Sequence, residues 1–268
     1  MHVDPVVRGR IRDVAIWCRR LALHISASMS VRIRLYVEQA LGQGQPVPLS
    51  RDQAHYLFGV MRLGQGAEVL LFNGRDGEWL AEVAEAGKRG GVLTALRQTA
   101  PLRMPPDLWL LFAPIKKART DFIVEKAVEL GAARIIPVAT EFTNSERIRQ
   151  DRLQAHAVEA AEQCGATVVP EVADLHRLDR LLADWPADRQ LLFCDEGTAG
   201  QSTTLAGAET GPWAILIGPE GGFSPAERAR LASLPFARTI SLGPRILRAD
   251  TAAVAALTLW QSNLGDWR

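Results

Sequence analysis

Ala214-Ile215-Leu216-Ile217-Gly218-Pro219-Glu220-Gly221-Gly222-Phe223-Ser224-Pro225-Ala226-Glu227 carries an apolar strand straight into a glycine-rich turn and then into a capped helix. Glycine lets a backbone adopt positive φ and come close to a ligand. Ser224, Pro225 and Glu227 occupy the N-cap, first helical and N3 positions of a capping box, which fixes where the helix starts. A second junction of the same kind follows. Thr239-Ile240-Ser241-Leu242 runs into Gly243-Pro244-Arg245-Ile246-Leu247-Arg248 and then into an alanine-rich helical stretch from Thr251. A lone Gly-Gly is most often just a tight turn. Two strand-loop-helix units near one end of the chain are the raw material of a shared pocket.

Neither loop is a nucleotide-phosphate motif, since G-x-x-x-x-G-K-[ST] and a G-x-G-x-x-G opening a βαβ unit are both missing. This weakens the ATPase and ordinary dinucleotide-binding readings. A chain of 268 residues is long enough for two cores. Lys plus Arg number 31 against 30 Asp plus Glu, so nucleic-acid contacts must come from local clusters or a dimer's combined surface. The three cysteines, Cys18, Cys164 and Cys194, show no C-x-x-C spacing and read as reduced thiols of a cytoplasmic protein. His2, His24, His55, His156 and His176 lack metal-ligand spacing, so no metal is expected, and no apolar run is long enough to span a membrane.

Along the chain, Val31 to Val37 alternates as a half-buried strand with a basic outer face, and Arg51 to Leu63 has a helical pattern. Ala67 to Phe72 and Glu78 to Val83 are strands joined by Asn73-Gly74-Arg75-Asp76-Gly77, a hairpin signal, and Val92 to Leu96 is a further strand. Short strands around one helix suggest a small β-barrel. After the linker Pro101 to Pro106 the rhythm becomes α/β: strands at Leu108 to Phe112, Ile135 to Ala139 and Gln190 to Cys194, helices at Thr120 to Leu130, Asp151 to Cys164 and Leu175 to Trp185. The pattern predicts a mostly parallel sheet covered on both faces. Ligands of such sheets sit beyond the strands' carboxyl ends, where Cys194, Glu196, Gly197, Gly218 to Gly222 and Gly243 to Arg248 fall.

Taken together, I-G-P-E-G-G at 217–222 and L-G-P-R-I-L-R-A-D-T-A at 242–252 resemble the C-terminal signature of the SPOUT (α/β-knot) methyltransferases, and within them the RsmE-type small-subunit ribosomal RNA uracil-N3-methyltransferases. The blocks Glu125 to Gly131 and Glu162-Gln163-Cys164-Gly165 extend the resemblance over about Val31 to Leu264. It implies a PUA-like RNA-binding barrel at 29–103 and a SPOUT methyltransferase domain with a trefoil knot at 104–268. It also implies S-adenosyl-L-methionine as cofactor, 16S ribosomal RNA in the small subunit as substrate, and a homodimer. Residues 1–28 precede Met29, where relatives would begin. They are expected to be a disordered extension or a mis-assigned start, and their arginines also suit a basic amphipathic or transit-like segment.

The resemblance assigns Cys194, Glu196, Gly197, Ile217, Gly218, Glu220, Gly221, Leu242, Gly243, Ile246 and Leu247 to the cofactor. Methylation at uridine N3 leaves negative charge shared with the flanking carbonyl oxygens, and a fixed cation stabilises it. Arg248 is the first candidate, Arg245 the second. Asp250 is a catalytic candidate or a helix cap, and Glu220 is a structural carboxylate or a base. Arg34, Lys116, Lys117 and Arg119 are the expected RNA contacts, weighed against surface ion pairs and a solvated face. Three departures from the family pattern stand out: Phe142 and Ala166 replace customary arginines, and Ala249-Asp250 replaces a Thr-Glu pair. Two rivals remain. One is a SPOUT enzyme acting on another RNA or a ribose hydroxyl, and the other is a non-catalytic ribosome-assembly factor.

Overall fold

A computed structural model describes residues 33–87, 89–144, 147–200, 205 and 207–268. The 1–28 extension and the Val31-Arg32 start of the first expected strand lie outside the described residues. The N-terminal half forms a five-stranded sheet in the order β1-β3-β4-β5-β2. Its strands are β1 Arg34–Tyr36, β2 Pro46–Pro48, β3 Glu68–Phe72, β4 Glu78–Gly87 and β5 Gly90–Ala100. The expected hairpin joins β3 and β4, with Gly74 and Gly77 both at φ 75°. Asn73 Oδ1 accepts from the amides of Arg75 and Asp76, while the Asp76 carboxylate accepts from Leu41 N at 2.8 Å and Asn73 Nδ2 at 2.6 Å. These donors hold Asp76 below the ordinary aspartate pKa, the Leu41 amide contributing most.

The helix expected over Arg51 to Leu63 is shorter and wider. Helix α1, Arg51–Ala54, starts at the Ser50/Gln53 capping box and passes into a π-helical stretch, His55–Val60. Val47, Leu57, Val69, Leu71, Val83 and Leu93 form the buried core beneath the sheet. Register shifts between β4 and β5 bend the long pair over that core.

The C-terminal half is a seven-stranded, all-parallel arrangement, with β12-β10-β11-β6-β7-β8 in order and β9 beside β7. The strands are β6 Leu108–Phe112, β7 Arg134–Ala139, β8 Glu171–Val172, β9 His176–Arg177, β10 Gln190–Cys194, β11 Trp213–Ile217 and β12 Ala237–Ile240. The helices are α2 Lys117–Glu129, α3 Gln150–Cys164, α4 Leu178–Ala183, α5 Pro225–Ser233 and α6 Ala249–Asn263. Leu175 to Trp185 is therefore not one helix, because His176 and Arg177 pair with Val138 and Ala139 before α4 starts. The central strands are apolar throughout because both faces are covered. Leu108, Leu110, Phe112, Ile215 and Ile217 pack with Ile123, Leu153 and Trp260 of α2, α3 and α6. Leu111, Ala214 and Leu216 pack with Leu178, Leu182 and Leu231 of α4 and α5.

The two halves meet along a polar seam centred on Arg34. Its guanidinium pairs with Glu78 at 2.8 Å and donates to the carbonyls of Ala161, Glu162 and Ala166 at 2.5, 3.0 and 2.8 Å. It also lies 4.5 Å from the centre of the Phe72 ring. Glu162, near the end of α3, accepts from Tyr36 N at 2.9 Å. Burial raises the pKa of this carboxyl, and Glu159 adds to the rise.

Candidate active site

A cavity of about 440 Å³ opens where β10, β11 and β12 end. Cys194, Ile217 and Ile240 are the last residues of those strands, and the register sets Cys194 beside both of the others. Parallel strands therefore deliver three loops to one place: Asp195 to Ala199, Gly218 to Gly222 and Leu242 to Arg248. The expected cofactor residues Cys194, Glu196, Ile217, Gly218 and Glu220 line the cavity, as do Leu242, Gly243, Ile246 and Leu247. Arg245, Arg248, Lys116 and Arg119 also lie on its wall.

Gly197, Gly221 and Asp250 do not line the cavity. A Cβ on Gly221 would sit 3.4 Å from Phe142 Cβ, so this glycine faces the exposed Phe142 side chain. Gly222, which the sequence places at the strand ends but which was not among the residues assigned to the cofactor, lines the cavity at φ 71°, and a Cβ there would overlap the Glu196 carboxylate. Gly197 serves the loop framework, because a Cβ there would collide with the Arg228 guanidinium.

Arg228 is the other residue the sequence reading missed. It donates to Phe223 O at 3.1 Å and pairs with Asp195 at 3.5 Å and with Glu196, so one α5 side chain ties two cavity loops together. It lies one residue beyond Glu227 in the capped helix, which offered a signal only once the strand order was known. The capping box forms as expected: Ser224 Oγ accepts from Glu227 N at 3.2 Å and Glu227 Oε2 accepts from Ser224 N at 3.0 Å. Glu227 Oε1 also accepts from Glu141 N at 2.9 Å, which anchors the loop carrying Phe142.

The cations around the cavity separate into two kinds. Arg119 pairs with Glu220 at 2.7 Å and with Asp250 at 3.6 Å. It belongs to the cavity framework rather than to a free RNA-facing surface. Arg245 and Arg248 are exposed, and among the described residues neither has an ion-pair partner. Asp250 is the second residue of α6 and not its N-cap, which is Arg248. Its Oδ1 accepts from Thr251 N at 2.9 Å. The Cys194 thiol is pushed up to about 12 by burial, so it stays protonated and serves as an apolar wall.

Arg34 is corrected most sharply. Its side chain is 10% exposed and four of its donations go to the seam, so it offers no basic outer face to RNA. Isolated strand alternation cannot show that the end of helix α3 covers the outer face. Lys117 lines a second, neighbouring cavity instead of the first. Among the described residues no group of three or more His, Cys, Asp or Glu side chains is placed to hold a metal. Among them, too, no helix is long and apolar enough to cross a membrane.

Comparison with known proteins agrees with this layout. An RNA methyltransferase domain model matches residues 103–261, and an RNA methyltransferase PUA domain model matches residues 49–96. Ribosomal RNA small subunit methyltransferase E of Rickettsia conorii is 30% identical over 84% of this chain and 93% of its own length. The Bacillus subtilis protein of the same name is 26% identical over 84% of this chain and 94% of its own. Among solved structures, ribosomal RNA small subunit methyltransferase E from Neisseria gonorrhoeae, bound to S-adenosyl methionine, superposes with a TM-score of 0.80 at 27% identity. That match covers 88% of this chain and 100% of that one. A Legionella pneumophila methyltransferase in complex with the same cofactor gives a TM-score of 0.79 at 29% identity over 88% of this chain and 99% of that one. With a domain model spanning more than half of its length and a relative at this identity over nearly its whole length, the chain belongs to the ribosomal RNA small subunit methyltransferase E family.

Proposed function

We propose that this chain transfers the methyl group of S-adenosyl-L-methionine to N3 of a specific uridine in the 16S ribosomal RNA of the small ribosomal subunit. One observation carries the reading: a cavity at the strand ends with apolar walls, backbone-rich loops and two exposed arginines that have no ion partner among the described residues. The residues fit the cofactor. Ile217, Leu242, Ile246 and Leu247 supply apolar surface for an adenine. Gly218, Gly222 and Gly243 present backbone groups, and the overlap a Cβ at Gly222 would make marks a place where only bare backbone fits. When bound, S-adenosylmethionine supplies an electrophilic methyl whose bond to sulfur breaks as the bond to nitrogen forms.

The chain's own task is to hold the base and stabilise the charge left when N3 loses its proton. Arg248, with Arg245 beside it, faces the anion that develops over the uracil carbonyl oxygens, and a preorganised donor of this kind is worth about 10²-fold or more in rate. Asp250 is a positioning residue: with Glu220 it fixes Arg119 in the cavity wall. Residues 29–103 dock RNA and residues 104–268 carry the transfer, with the C-terminal loops knotted and two copies paired in the cytoplasm. These assignments rest on the family.

The test is incubation with S-adenosylmethionine and small subunits lacking the modification, followed by mass spectrometry of the nucleosides. N3-methyluridine formed only with the protein is the expected result. A 2′-O-methyl nucleoside would move the reaction to ribose. Cofactor binding without methylation would point to another RNA, and no cofactor binding to an assembly factor.

A further inference from the structure

Beside the candidate active site lies a second cavity of about 300 Å³, of whose lining only Lys117 has entered the assignments above. Among the described residues four charged side chains line it, those of Lys117, Arg147, Arg149 and Arg152, and all four are basic. The two cavities flank one loop. Lys116 lines the first, whereas Ile115 and Lys117 line the second. The Cα atoms of Lys116 and Lys117 are about 3.8 Å apart, so one short stretch of chain borders both cavities.

The lining cations differ in how firmly the chain holds them. Arg152 pairs with Asp121 at 2.7 Å with both side chains largely covered, and it builds the wall between α2 and α3. Among the described residues Arg149 pairs with Asp151 alone, two residues on, and their side chains are 73% and 66% exposed. A pair so open to water is weak and is readily exchanged for a phosphate. Among the described residues Lys117 has no ion-pair partner. Thr120, also on the lining, is already partnered: its Oγ1 donates to Ile115 O at 3.1 Å and accepts from Ile115 N at 3.0 Å.

We propose that this cavity is a phosphate subsite for the RNA strand, in which Lys117 and Arg149 grip the backbone beside the target nucleotide while Arg152 shapes the wall. It rests on the RNA-methyltransferase reading and adds to it a place that fixes register, since phosphate contacts position a strand without reading its sequence.

The experiment measures binding of a single-stranded oligouridylate by fluorescence anisotropy across a salt series, with the full-length protein and its Lys117→Ala/Arg149→Ala variant. Two lost contacts should weaken binding about tenfold and lower the slope of log K against log salt by about 1.4. On small subunits, KM should rise with kcat unchanged. An Arg134→Ala/Arg268→Ala variant removes equal charge at the opposite end of the parallel sheet and should change neither quantity. An unchanged slope in the Lys117/Arg149 variant would overturn the subsite, as would an equal drop in the control, because the effect would then come from overall charge. Calorimetry of S-adenosylmethionine on the wild type separates the two readings. If the cofactor fails to bind but the slope still falls, the subsite stands and the enzymatic reading fails.

Discussion

Arg34 and Arg248 are both arginines that the sequence marks for RNA or catalysis, yet they have opposite surroundings. The Arg34 guanidinium donates four hydrogen bonds, to a carboxylate and three carbonyls, and lies over an aromatic face, whereas Arg248 is exposed at a cavity mouth and has no ion partner among the described residues. A guanidinium has five donors in a fixed fork. Where the chain itself occupies them, the residue is a clamp. Where they stay open beside a cavity, it is available to a ligand.

The largest expected effect breaks the clamp. Arg34→Ala leaves Glu78 and the three carbonyls at the seam without their partner, and removing one side of such a covered pair costs about 3–5 kcal/mol. Denaturant unfolding followed by Trp fluorescence should show this loss, and a change below about 1 kcal/mol would mean that the seam is not held by Arg34. Arg248→Ala should do the reverse, with stability kept but single-turnover methylation down about 10²-fold and cofactor affinity nearly unchanged. Equal rates for variant and wild type would remove Arg248 from the chemistry.

The adjacent glycines sharpen the same contrast between framework and ligand-facing surface. Gly222→Ala forces a side chain into a left-handed position against Glu196, a strain of about 1–3 kcal/mol, so cofactor affinity in calorimetry should fall roughly tenfold. Gly221→Ala places a methyl group in ordinary contact with Phe142 and should bind like the wild type. If the two variants lose affinity equally, the cavity wall has been misjudged.

The smallest effects are in pH dependence, and the two halves should carry opposite signs. The Glu162 pKa is raised in the folded protein, so its contribution favours folding at low pH and is lost as pH rises through the folded value. Glu162→Gln keeps an acceptor for Tyr36 N, abolishes that dependence and should be at least as stable as wild type at neutral pH. Asp76, held below its ordinary value, contributes stability above that value and loses it as pH falls. Asp76→Asn should therefore flatten the acid limb. Urea midpoints measured from pH 3 to pH 8 would check both, and slopes of the same sign would contradict the assignment.

The sequence alone determined the strands that end at the cavity and the glycine loops after them. Apolar runs of strand length, a capping box and Gly-Pro turns are local signals, set by residues a few positions apart. It also determined the hairpin at Asn73 to Gly77, because positive φ and side-chain-to-amide bonds close within that stretch. Where the outer face of β1 points, which glycine meets the cavity and which cation stays open were settled only in three dimensions. Arg34 meets carbonyls more than 120 positions away, and Arg119 meets Glu220 across 101 residues. A side chain's role depends on whether its hydrogen-bond donors and its charge are already matched, and those partners are chosen by packing between distant elements, which leaves no trace in local periodicity.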